Sequence, residues 1–127
     1  MVEDFVAGAL LGHVYECAGG TPVRLRMAPG SDLRAIEELL ERSGVGASEL
    51  SAARFVYFDP RHEYVVCATA LIDGQVVLLG VGAARLDRDE PELELVVAPG
   101  HAERDVRRLL TSALTNSAAA ISRARAA

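Results

Sequence analysis

Apolar and polar positions alternate early in the chain. Val23, Leu25 and Met27 alternate with Arg24 and Arg26, the period of a half-buried strand. A shorter run over residues 13–17 reads as a partner strand across Ala18-Gly-Gly-Thr-Pro22. Pro29-Gly30 ends the second strand, and the spacing then changes. Leu33, Ile36, Leu39 and Leu40 share one helical stripe, with Ser31 or Asp32 as the cap, Arg42 in the last turn and Gly44 as the stop. A second short helix is predicted from Ser48 over residues 49–54, before the aromatic run Phe55-Val-Tyr-Phe58.

The strongest local signal follows. Residues 64–72 and 75–86 are two apolar runs joined by Asp73-Gly74, a hairpin turn that needs positive φ. Both runs are apolar on both faces, so both are expected to be central and covered on each side. Gly80 and Gly82 mark a bulge or a close approach. A charged loop at 87–91 precedes a strand at 92–97. The last element is a long helix whose stripe is Val106, Leu109, Leu110, Ala113, Leu114, Ser117 and Ile121, with Arg123 and Arg125 near its C-terminal end. Helices beside an antiparallel meander predict an α+β sandwich in a single domain, 1–127, with 1–20 as an N-terminal extension or extra strand and 21–127 as the core.

Composition narrows the function classes. The 127 residues are 50% hydrophobic, enough for one core without staples. The net charge is −5, no basic stripe runs through the chain, and Trp is absent, which argues against nucleic acid. No apolar run reaches the roughly 18 residues of a membrane helix, and Phe5-Val-Ala-Gly-Ala-Leu-Leu-Gly12 follows Glu3 and Asp4 rather than a basic start, so a cytoplasmic protein is expected. Cys17 and Cys67 do not make a framework; reduced thiols are expected, a disulfide being the alternative. No Cys/His spacing suggests a metal.

Several of these segments, in this order, resemble the first part of the GNAT superfamily of N-acyltransferases. Val23-Arg-Leu-Arg26 and the helix after Asp32-Leu33 resemble its opening strand and helix. Ala53-Arg-Phe55 resembles the Arg-Phe pair of its protein lysine acetyltransferases. Ala68 to Gly82, with its Val-Gly sequence, resembles the central hairpin, and Glu92-Leu-Glu-Leu-Val-Val-Ala-Pro99 the strand before the acyl-CoA loop. The resemblance covers about residues 20–122. It implies a GNAT-like three-layer sandwich with a central, mostly antiparallel sheet flanked by helices and lacking the C-terminal strands. The strand at 92–97 is then an edge, which invites a homodimer or a partner protein, through that edge or the long C-terminal helix.

The family's phosphate loop reads Gln/Arg-x-x-Gly-x-Gly/Ala, small residues letting backbone N–H groups reach a pyrophosphate at a helix N-terminus. The matching stretch here covers Val97, Ala98, Ala102, Glu103, Arg104, Asp105, Val106 and Arg107. Ala102 stands in the Gln/Arg place, and Glu103, Asp105 and Arg107 stand where small residues belong. Each carboxylate repels a diphosphate by about 1 kcal/mol at 4 Å in water. The same carboxylates stabilise a first helical turn, and pairing with Arg104, Arg107 or Arg108 is expected at i,i+3 or i,i+4. The helix is therefore expected to supply its own anion.

The resemblance implies Glu92 as general base on an amine; the plainer reading is an exposed strand-end carboxylate, with Glu94 on the same face. His13, His62 and His101 read as surface histidines. Tyr15, Tyr57 and Tyr64 are possible proton donors. Ser112, Thr115 and Ser117 have no partnered base. Cys67 reads as buried and inert, Cys17 as the more reactive thiol. The favoured reading is a domain that has lost acyl-CoA catalysis, expects no cofactor, and acts in binding, regulation or self-association. The alternative is an active acetyl-CoA-dependent N-acetyltransferase acting on an amine or lysine, its site completed by a second chain.

Overall fold

A computed structural model describes residues 11–27, 30–44, 52–59, 61–86, 92–100 and 102–126, without the side chains of 18, 30 and 117–126. Five strands form one sheet in the order β1-β2-β3-β4-β5, every neighbouring pair antiparallel. They are β1 (Val14–Cys17), β2 (Thr21–Met27), β3 (Glu63–Ile72), β4 (Gln75–Arg85) and β5 (Glu92–Val97); β1 falls inside the stretch expected as an extension or extra strand. Helix α1 (Leu33–Ser43) lies between β2 and β3, and helix α2 (Glu103–Ala126) follows β5. The chain is therefore α+β, an antiparallel sheet with a helix on each face.

Strand alternation sorts the core into two layers. Val23, Leu25, Val66, Ala68, Ala70, Ala84 and Val97 pack with Val106, Leu109, Leu110 and Leu114 of α2. Val65, Cys67, Leu78, Val81, Ala83 and Val96 pack with Ile36, Leu39 and Leu40 of α1 and with Phe55. The apolar hairpin is buried on both sides because each of its faces meets a different helix.

The hairpin turn is as expected: Ile72 opposes Gln75, and Asp73 and Gly74 both take positive φ, 51° and 77°. Gly80 and Gly82 serve both expected purposes. Ala68 opposes Gly80 and Thr69 opposes Leu78, so Leu79 is an extra residue in β4. A Cβ on Gly80 would stand 2.9 Å from Leu110 Cδ1 and 3.0 Å from Val106 Cγ1; one on Gly82 would stand 2.6 Å from both Leu114 Cδ1 and Leu95 Cδ2. The missing side chains let α2 sit directly on β4.

Four expectations are corrected. Asp32 does not cap α1 with its side chain; its carboxylate takes two hydrogen bonds from Arg26, at 2.6 and 2.8 Å. The second helix is, among the described residues, a single 3₁₀ turn over Ala52–Phe55, and residues 45–51 lie outside the description. The hairpin tip is not covered by the described residues: Leu71 is 61% and Val76 70% exposed. Finally, Cys17 is buried on the α2 side, and burial, reinforced by the Asp105 charge, pushes its thiol up to about 11, so it is not a reactive thiol. Cys67 lies on the opposite side of the sheet, its thiol pushed by burial up to about 12. The two cysteines are free and cannot meet across the sheet. The loop at 87–91, His101, and the stripe positions Ser117 and Ile121 with Arg123 and Arg125 lie outside what is described.

Candidate functional site

The candidate site is the turn between β5 and α2. At the end of β5, the Ala98 N–H donates to the Leu79 carbonyl over 2.8 Å, so the bulge in β4 anchors the exit of the strand. Gly100 turns the chain with φ 150°, and its carbonyl accepts the Glu103 N–H at 3.2 Å. The Val106 N–H donates to the Ala102 carbonyl at 3.0 Å, the first α-helical bond. A strand, a turn and a helix N-terminus thus converge, the arrangement that favours anions through its dipole and unpaired N–H groups.

The side chains around it point to different chemistry. A cavity of about 120 Å³ opens beside the turn, lined by Thr21, Ile72, Leu79, Pro99, Glu103 and Val106 among others. Its walls are largely apolar, and the charged residue among those lining it is Glu103. Glu103 lies 4.0 Å from Arg107, the expected i,i+4 pair. Asp105 is half-buried and acts on the Cys17 thiol behind the helix. Val97 and Val106 are buried in the α2 layer, Ala98 and Ala102 are partly buried, and Arg104 and Arg107 face solvent. The expected loop residues are therefore gathered at one place, with Arg104 and Arg107 exposed and Glu103 and Asp105 partly exposed.

The second set of candidates lies on the other face. Glu92 is exposed at the start of β5, opposite Arg85 on β4. Glu94 is half-buried and ion-paired to Arg54 Nη1 from the 3₁₀ turn. The Arg54 guanidinium also stacks 5.6 Å from the Phe55 ring centroid, and its Nη2 is buried with no hydrogen-bond partner. The Arg54–Glu94 pair was not legible from spacing, because forty residues and a hairpin separate its members. Its one sequence signal was the Arg-Phe pair.

The remaining candidates are dispersed. Tyr57 and His13 are exposed. Exposed His62 stands 3.8 Å from Asp59, in a polar turn where hydrogen bonds from Arg61 hold the Asp59 carboxyl below its usual range. Thr111, which the sequence did not single out, donates to the Arg107 carbonyl at 2.8 Å, within the helix. A shallow concavity of about 310 Å³, lined by Val14, Arg24, Thr69, Leu71 and Val76 among others, lies on the α1 side of the sheet. Among the described residues no group of His, Cys, Asp or Glu is placed to hold a metal, and no helix is long and apolar enough to cross a membrane. No protein-family model matches the chain, and no curated protein matches it.

Proposed function

We propose that this is a GNAT-like domain that has lost acyl-CoA catalysis and acts by binding and self-association. One observation carries the reading: the start of α2, where a pyrophosphate would need to sit, carries Glu103 and Asp105 in its first turn beside a cavity of only about 120 Å³. Pockets that enclose a ligand of cofactor size run to roughly 300–1,000 Å³. A diphosphate at this turn would lie near the Glu103 and Asp105 carboxylates of the first helical turn, which repel it and themselves draw on the favourable dipole.

The active alternative asks Glu92 to act as base. Glu92 is exposed at a strand end opposite Arg85, away from the β5–α2 turn where the cofactor would have to sit. The net charge of −5 supports a partner other than nucleic acid. Two buried, unpaired thiols suit a reducing compartment such as the cytoplasm.

Thermal unfolding with acetyl-CoA tests the reading. A ligand at 100 times its dissociation constant stabilises a fold by about 2.7 kcal/mol. The expected result is an unchanged melting temperature at millimolar acetyl-CoA; a stabilisation of that size would overturn it and restore the acyltransferase alternative.

A further inference from the structure

We propose that β5 pairs with the β5 of a second copy, antiparallel about a two-fold axis through Leu95, to make a continuous ten-stranded sheet. The proposal rests on the reading of the domain as a self-associating module, and it names the surface and the register.

β5 pairs with β4 on one side, and no described strand lies on the other. The direction of its free groups can be read from the ladder. The Ala98 N–H donates to Leu79 on β4, and the carbonyls of Val96 and Glu94 approach Gly80 and Gly82 of β4. Even-numbered residues thus spend their backbone groups on β4. By alternation, the N–H and C=O groups of Leu93, Leu95 and Val97 point to the open edge. Within Glu92–Val97 there is no proline, no lysine and no bulge; the charges guarding the edge are Glu92 and Glu94.

Charge and backbone donors select the register of self-pairing. Opposed residues in an antiparallel pair share a face, so symmetric registers centre on one residue. Centring on Leu93 sets Glu92 against Glu94, and centring on Glu94 sets it against itself; both oppose like charges. Centring on Val96 pairs Leu93 with Pro99, which has no N–H to give. Centring on Leu95 sets Glu94 against Val96 and Leu93 against Val97, and every outward group of the three odd residues finds a partner. It also covers Leu93, which is 36% exposed. The other edge, β1, is four residues long and offers no such run.

Sedimentation equilibrium of the full chain, over micromolar to high-micromolar concentration, is expected to give twice the 13.5 kDa chain mass. Leu93→Pro removes an outward N–H that β4 does not use, so it should leave the circular dichroism unchanged and weaken dimerisation at least tenfold. Leu93→Lys, which changes no backbone group, should do the same should the proline variant fail to fold. Register is read by mild oxidation. Leu95→Cys should cross-link between copies, because directly opposed Cα atoms lie about 5.5 Å apart. Leu93→Cys should not, because its own copies are offset by four residues, about 13 Å. A monomer at high micromolar concentration, a dimer untouched by Leu93→Lys, or cross-linking through position 93 instead of 95 would overturn the proposal. A monomer would remove self-association from the functional reading as well, but none of these outcomes touches acetyl-CoA binding, so the loss of acyl-CoA chemistry is tested separately.

Discussion

The two faces of the sheet are held in different ways. Against α2 the described contact is largely apolar and set by shape: Val106, Leu110 and Leu114 descend into the space left by Gly80 and Gly82. Against α1 the apolar layer is supplemented by polar pins. Arg26 clamps Asp32 at the start of the helix, Arg42 Nη2 donates to the Leu78 carbonyl at 2.8 Å near its end, and Arg54 reaches Glu94 on β5. A face held by shape fails when volume is added. A face held by pins fails when one partner of a buried pair is removed.

Added volume should have the largest effect. Gly80→Val forces a branched side chain against Leu110, the stiff Val106 and the Val96 carbonyl 3.3 Å from the Cβ position. A loss of roughly 1–3 kcal/mol is expected in urea unfolding, the range for overpacked cores. Gly82→Ala should cost less despite its shorter contacts, because both are to the ends of leucine side chains. Equal stability of Gly80→Val and the native chain would show that α2 is not seated on these glycines.

Breaking the pins comes next. Arg26→Met leaves the Asp32 carboxylate, 8% exposed, without its two donors, and about 1–3 kcal/mol should be lost. Arg54→Met should cost at most about 1 kcal/mol, because Glu94 keeps access to water. The same urea midpoints decide the order; a larger loss for Arg54 would mean that its pair, and not the Arg26 clamp, fixes the α1 side.

The thiols give an effect that appears only in alkali, and one that both faces share. Both pKa values are raised in the fold, to about 11 for Cys17 and about 12 for Cys67, above the ordinary 9.0. The folded state therefore holds these protons longer than the unfolded chain does. Their contribution is complete below pH 9 and is lost as pH rises through 11 and 12. Stability should fall across that window, and Cys67→Ala should flatten the fall. Disulfide reagents should label neither thiol in the native chain at neutral pH; rapid labelling of Cys17 would return it to the surface.

What the sequence made legible was local. Asp73-Gly74 between apolar runs defined its hairpin, because only a turn with positive φ joins strands over two residues. Gly80 and Gly82 announced a close approach, and the helical stripe of Val106, Leu109, Leu110 and Leu114 announced what approaches. What was hidden was the choice among partners. Asp32 stands where a cap belongs, and Arg26, six residues earlier, takes its oxygens first, because a bidentate charged pair is stronger than a cap. Cys17 looked exposed because a four-residue strand does not show which helix will lie over it. Leu71 and Val76 looked buried because an apolar run does not reveal how far a helix extends along it. At the β5–α2 turn, Glu103 and Asp105 were evident, but the small apolar cavity beside Glu103 brings in Thr21 and Ile72 from distant strands, which no local pattern announces.

The most direct measurement on the proposed loss of acyl-CoA chemistry is a calorimetric titration of the native chain with acetyl-CoA, repeated with Glu103→Gln. The native chain should give no binding heat at concentrations up to the millimolar range. If Glu103 is what keeps anions out, the variant should begin to bind. Micromolar binding by the native chain, unaltered by Glu103→Gln, would contradict it.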